Sequence, residues 1–152
     1  MNLRIVIALV VLLVVVVLGA VLIAWPTSQN TSTTPPPTPS TQQQFTSENV
    51  RVSSPLPSAI VGKTFRVAGE ARGPWYFEAN LPLLVKDVNG STVGNGSATA
   101  QGEWMTTDFV PFEGKITVDV LFSGPAKLVI MKDNPSGLPE NNDSVEFPIV
   151  VQ

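Results

Sequence analysis

Residues 69–78 hold an unusual concentration of groups that could do chemistry. They include two carboxylates, Glu70 and Glu78, one cation, Arg72, and three consecutive aromatic residues. Carboxylates about 5–9.5 Å apart can hydrolyse glycosidic bonds, so the Glu70 and Glu78 pair is compatible with a cell-wall glycan hydrolase or its accessory domain. The alternative is a charged row on the outward face of adjacent strands, where pairs of opposite charge are modestly stabilising.

Aromatic residues supply a second candidate surface. Trp75, Tyr76 and Trp104 could stack on sugar rings, since aromatic faces present a large apolar area at a small entropy cost. Successive residues of a strand face opposite sides, so we expect Trp75 and Phe77 in the core and Tyr76 outside. Trp104 and Met105 would likewise face opposite sides of a strand, so only one of these two side chains can be buried.

Segment 133–143 offers oxygen ligands. Its acids are Asp133, Glu140 and Asp143, and Asn134 adds an amide. Calcium takes about 6–8 oxygen ligands, but the spacing here is not that of a calcium-binding loop. The other interpretations are a rigid connection whose side chains cap its own backbone, or a loop that contacts a protein.

Composition excludes several classes of function. The chain of 152 residues has no Cys and no His, which rules out disulfides, thiol nucleophiles, an imidazole base and the favoured ligands of zinc. We therefore expect no metal site and no cofactor. The net charge of −3, with only 9 Lys and Arg, argues against a nucleic-acid partner.

The N-terminal region predicts a membrane anchor. Residues 5–24 form an unbroken apolar run that spans roughly 30 Å as a helix, the thickness of a hydrocarbon core. The run exceeds the usual apolar region of a signal peptide, and Leu22 is large where a cleavage site needs a small residue, so an uncleaved signal-anchor is favoured over a cleaved signal. The positive charge of Arg4 predicts that residues 1–4 lie in the cytoplasm and that the residues after Trp25 lie outside, as in a single-pass membrane protein.

The remaining chain divides into a linker and one domain. Residues 25–47 are rich in Thr, Ser, Gln and Pro, which is typical of a disordered, rather stiff spacer. From residue 48 to residue 152, short alternating segments are separated by turns, including a hairpin signal at Asn89-Gly90. Seven or eight strands in about 105 residues predict a sandwich of two antiparallel β-sheets.

Three long motifs carry a family resemblance. They are Gly-Glu-Ala-Arg-Gly at 69–73 with the aromatics that follow, then segment 102–112, then segment 132–145. In this order they resemble the immunoglobulin-like domain of bacterial spore germination. The resemblance implies an immunoglobulin-like β-sandwich in an extracytoplasmic bacterial protein, and it implies little biochemistry.

Together, these observations predict an all-β immunoglobulin-like domain on a transmembrane helix. We expect a membrane-anchored, extracytoplasmic, non-enzymatic interaction module of the bacterial cell envelope, which binds an envelope protein or cell-wall polymer. The alternatives are a cell-wall glycan hydrolase or its accessory domain that uses Glu70 and Glu78, and a purely structural spacer or assembly subunit. The candidate contact residues are Glu70, Arg72, Tyr76, Glu78, Trp104, Asp133, Asn134, Glu140 and Asp143.

Overall fold

The computed structural model describes residues 43–152, which are almost entirely strands and loops. Two short 3₁₀ turns, Gly73–Trp75 and Pro139–Asn141, are the helical elements of this part. The strands are β1 (Phe45–Thr46), β2 (Val50–Ser54), β3 (Ile60–Val61), β4 (Thr64–Arg72), β5 (Asn80–Asp87), β6 (Thr92–Ala100), β7 (Phe109–Val118), β8 (Gly124–Met131) and β9 (Ser144–Val151).

The N-terminal predictions fall mostly outside these residues. The expected cytoplasmic segment 1–4, the anchor 5–24 and linker residues 25–42 are not described. Among residues 43–152, no helix is long and apolar enough to cross a membrane. The end of the expected linker is ordered, because β1 pairs with β2 and the ring of Phe45 stacks on that of Phe147 at 4.9 Å.

The nine strands form one hydrogen-bonded sheet in the order β1-β2-β4-β7-β6-β5-β8-β9-β3. All neighbours are antiparallel except β3 and β9, which run parallel. The count exceeds the predicted seven or eight because β1 and β3 have two residues each, too few to show an alternating pattern. The longest strand, β7, runs without interruption through 10 residues.

The buried side chains of this sheet form one hydrophobic core. Strand β4 buries Val67 and Ala71, and strand β5 buries Leu81, Leu83 and Val85, in both cases at alternate positions. Side chains from β2 and from β4 to β9 belong to one core cluster, so the sheet curls around it. Each fully buried leucine contributes about 1.5–3 kcal/mol.

The pairing also decides where the loops emerge. Because consecutive long strands are antiparallel, the connections 73–79, 101–108 and 132–143 all leave the sheet at the same end. We call these three connections the long-loop end. The opposite end carries the turns 88–91 and 119–123.

The turn at 88–91 confirms the predicted hairpin. Gly90 has a φ of 86°, a left-handed conformation that glycine adopts without strain. The Oδ1 atom of Asp87 accepts hydrogen bonds from the backbone N–H groups of Asn89 and Ser91. The turn is therefore held by local interactions that were readable in the sequence.

Candidate binding surface

The 73–79 loop begins where strand β4 ends at a glycine and a proline. Proline fixes its own φ, and the 3₁₀ turn Gly73–Trp75 interrupts the alternation of the strand. As a result Trp75 and Tyr76 are both buried, at 3% and 4% exposure, while Phe77 is 40% exposed. The expectation of Trp75 in the core is confirmed, and the expectations of Tyr76 outside and Phe77 inside are wrong.

Tyr76 anchors the loop to the sheet. Its hydroxyl donates a hydrogen bond of 2.8 Å to the backbone carbonyl of Val110 in β7. Burial raises the pKa of the Tyr76 phenol, and the negative charge of Glu70 raises it further. Tyr76 is thus a neutral, internal support, and it does not belong to the predicted contact surface.

Glu70 and Arg72 lie on the outward face of β4, as predicted. The Nη1 atom of Arg51, on the neighbouring strand β2, lies 3.5 Å from Oε2 of Glu70. The Nη1 atom of Arg72 donates a 3.2 Å hydrogen bond to the backbone carbonyl of Thr107. The charged row therefore joins β4 to β2 and to the 101–108 loop.

Phe109 completes this row. The guanidinium carbons of Arg51 and Arg72 lie 3.8 and 4.2 Å from the centre of its ring. Both distances are within the range of cation–π attraction. Sequence reasoning missed Arg51 and Phe109, because only the strand register, which places Phe109 opposite Arg72, brings them to this row.

Glu78 lies in another element. It occupies a tight turn between Phe77 and Asn80, and both Glu78 and Ala79 have positive φ, as in a type I′ turn. Its side chain is exposed, whereas Glu70 faces Arg51. The two carboxylates are therefore not neighbours along a strand, and their arrangement gives no support to hydrolysis of glycans.

The 101–108 loop packs against the 73–79 loop. A Cβ atom at Gly73 would lie 1.8 Å from the carbonyl oxygen of Thr106, so the two backbones are in direct contact. The Gly73 N–H donates a 3.0 Å hydrogen bond to the carbonyl of Asp108. Trp104 is half-buried in this loop rather than placed on a strand, and Met105 is 74% exposed.

A shallow cleft lies between these two loops. Its volume is ≈ 360 Å³. The residues that line it are Gly73, Pro74, Tyr76 and 104–107.

The 132–143 loop is held by Asn134. The Nδ2 atom of Asn134 donates hydrogen bonds of 2.8 Å to the Leu138 carbonyl and to Oδ1 of Asn142. Its Oδ1 atom accepts from the backbone and the hydroxyl of Ser136. The interpretation of this segment as a connection that caps its own backbone is confirmed.

Asp133 joins the same loop to the 73–79 loop. Its backbone N–H donates a 2.9 Å hydrogen bond to the carbonyl of Trp75, and its Oδ2 atom accepts a 3.0 Å bond from Asn80. All three loops are therefore linked through 73–79, and the long-loop end is one connected surface.

The predicted acids of the loop do not form a metal site. Glu140 is exposed on the 3₁₀ turn, and Asp143 accepts a hydrogen bond from the N–H of Ser144. Within residues 43–152, no three acidic side chains gather where they could hold a metal ion. The interpretation as a calcium loop has no structural support.

The comparison with protein families identifies the domain. The family model of the immunoglobulin-like domain of bacterial spore germination matches residues 49–138. The chain belongs to this family. No curated protein and no solved structure matches the chain. The family match confirms the resemblance seen in the sequence motifs, and it includes the first two loops of the long-loop end and the start of the third.

Proposed function

We propose that this chain is a non-catalytic binding module of the bacterial cell envelope, and that its long-loop end contacts a partner protein. The observation that carries the proposal is the hydrogen bonding of three separate loops into one surface. A surface whose loops are already held in place loses little conformational entropy when it binds.

The strand order supports an immunoglobulin-like sandwich. In a constant-type immunoglobulin domain, the first sheet has the order A, B, E, D and the second has the order C, F, G. Here β2, β4, β7 and β6 follow the first order, and β5, β8 and β9 follow the second. The β5–β6 hairpin joins the two sheets. Domains of this architecture cluster their loops at the two ends, which suits recognition.

Three exposed apolar side chains favour a protein partner over a cell-wall polymer. Phe77, Met105 and Leu138, one from each loop, are 40%, 74% and 50% exposed. Protein interfaces are anchored by a few such side chains. A sugar platform needs flat, open aromatic faces, whereas Tyr76 is buried and Trp104 is half-buried.

We propose further that residues 5–24 are a transmembrane signal-anchor, because this apolar run is long enough to cross a hydrocarbon core. The Pro-rich segment that follows would then be a spacer between the membrane and the domain.

Site-specific photo-crosslinking tests the proposal. A photo-reactive amino acid replaces Met105 in the full chain, and the matched control replaces Val120 at the opposite end, which is equally exposed at 76%. We expect adducts with an extracytoplasmic protein at Met105 and not at Val120, identified by mass spectrometry after irradiation of intact cells. Equal adducts at both positions, adducts with glycan alone, or no adduct at Met105 would overturn the proposal.

A further inference from the structure

Charge is distributed unevenly over the described domain. The long-loop end has six carboxylates and one cation, Lys132, which gives it an excess of five negative charges. The rest of residues 43–152 has six carboxylates and seven Lys or Arg, which nearly cancel. The six loop carboxylates are Glu78, Glu103, Asp108, Asp133, Glu140 and Asp143.

Within residues 43–152, none of the six loop carboxylates takes part in an ion pair. The three ion pairs that the structure shows in residues 43–152 join Arg51 to Glu70, Arg66 to Glu113 and Lys127 to Glu146. All six of these residues lie on strands. A concentrated field of one sign attracts a partner of the opposite sign and selects against wrong partners.

The cleft between the 73–79 and 101–108 loops adds an apolar wall to this charge. Trp104 and Met105 line it. The Oε1 atom of Glu103 accepts a 3.0 Å hydrogen bond from the N–H of Met105, so this carboxylate lies beside the lining. The backbone carbonyl of Asp108 accepts a hydrogen bond from the N–H of Gly73, another lining residue, and Asp108 is exposed next to the lining.

An apolar lining with carboxylates beside it suits a long side chain that ends in a cation. Arginine and lysine carry a long apolar stem and a cationic tip, and they often bury the stem while the tip stays at the surface. The stem suits the apolar lining at Trp104 and Met105, and the carboxylates of Glu103 and Asp108 suit the cation.

We infer that the cleft receives an arginine or lysine side chain from a basic segment of the partner protein. The inference rests on the proposed function, because it names the partner chemistry of that same surface. Phe77 and Leu138 then contact apolar residues that flank the basic side chain.

Selection of random peptides on the full chain tests the inference. The chain is held in detergent micelles, and displayed random heptapeptides are selected at about 50 mM and at about 300 mM salt, because screening weakens exposed charge pairs. We expect Arg and Lys to be enriched about twofold or more at low salt and less at high salt. Selected peptides without this enrichment, or the absence of any selected peptide, would overturn the inference.

Two charge variants give the matched comparison. The double variant Glu103→Gln/Asp108→Asn removes two negative charges at the cleft, and the new glutamine side chain keeps a carbonyl acceptor for the N–H of Met105. The control Asp87→Asn/Asp119→Asn removes two charges at the opposite end and keeps the acceptors of both turns. Binding of the selected peptides should fall about tenfold in the first variant and stay within about twofold in the control. Equal effects contradict the inference.

The crosslinking experiment separates the two proposals. Adducts at Met105 whose yield is unaffected by Glu103→Gln/Asp108→Asn would leave the binding function standing and refute the basic side chain. Absence of adducts at position 105 when Glu103 and Asp108 are unchanged would refute the binding function itself.

Discussion

The hydroxyl of Tyr76 donates a 2.8 Å hydrogen bond to the backbone carbonyl of Val110, and this bond ties the 73–79 loop to strand β7. The replacement Tyr76→Phe keeps the ring and leaves the buried carbonyl without its partner. We expect the free energy of unfolding to fall by about 1–2 kcal/mol. Urea denaturation followed by tryptophan fluorescence measures the change, and an unchanged midpoint would show that the bond contributes nothing.

The raised pKa of Tyr76 predicts that the domain loses stability at alkaline pH. Burial raises the pKa of Tyr76 above its ordinary value of 10.0, so the folded protein keeps the phenol proton where the unfolded chain loses it. The stabilisation is complete below pH 10 and is lost as the pH rises toward the folded pKa, by at most about 1.4 kcal/mol per pH unit. The stability difference between the unmodified chain and Tyr76→Phe should therefore shrink above pH 10. A difference that stays constant up to about pH 11.5 would contradict this prediction.

The contact between Gly73 and Thr106 predicts that the loops cannot accept a side chain there. A methyl group at Gly73 would overlap the Thr106 carbonyl oxygen, so Gly73→Ala should destabilise the domain by about 3 kcal/mol. A Cβ atom at Gly102, in the same loop system, would meet no atom within 4 Å, and Gly102→Ala should change stability by less than about 0.5 kcal/mol. Thermal unfolding of both variants measures the contrast, and similar melting temperatures would refute it.

Phe109 should be coupled energetically to the two arginines that lie over it. Exposed cation–π contacts contribute about 0.5–1 kcal/mol each, so Phe109→Leu should cost about 1–2 kcal/mol. In a chain that carries Arg51→Met and Arg72→Met, the same replacement should cost clearly less. A double-mutant cycle by urea denaturation measures the coupling, and strictly additive effects would show that the stacking has no energetic role.

Asn134 should control the order of the 132–143 loop. The replacement Asn134→Ala removes the bonds to Leu138, Ser136 and Asn142, and about 1.4 kcal/mol of lost local stability corresponds to tenfold faster amide exchange. Hydrogen–deuterium exchange followed by mass spectrometry should detect this increase in the loop. Glu140→Gln, an exposed position on the same loop, serves as the control and should leave exchange unchanged. Equal exchange in both variants would argue against the role of Asn134.

Local signals made part of the fold predictable. Within β4, Val67 and Ala71 lie inside and Glu70 and Arg72 lie outside, an arrangement that follows from alternation alone, because successive side chains of a strand point to opposite faces. The Asn89-Gly90 turn was predicted for a similar reason, since its conformation depends on its own residues.

Prediction failed where the backbone left the strand geometry. The prediction of Tyr76 outside assumed that the in–out alternation of a strand continues through Gly73 and Pro74. The 3₁₀ turn at these residues changes the direction of every side chain that follows. The pattern around Trp104 resembled a strand, yet packing of the 101–108 loop against Gly73 decides its conformation. The Arg51–Phe109 contact depends on pairing between distant segments, which a single sequence does not specify.

The short strand β1 has a mechanical consequence. Only two residue pairs, Phe45 with Val52 and Thr46 with Arg51, join β1 to β2, whereas nine pairs join β4 to β7. Under the proposed function, tension between the N-terminal side of the chain and a partner on the long-loop end would act on β1 first. Release of β1 would lengthen the chain before β2 by about 3.3–3.6 Å per freed residue while the central strands keep their pairing. Strand β1 would therefore separate before the long-loop end is distorted.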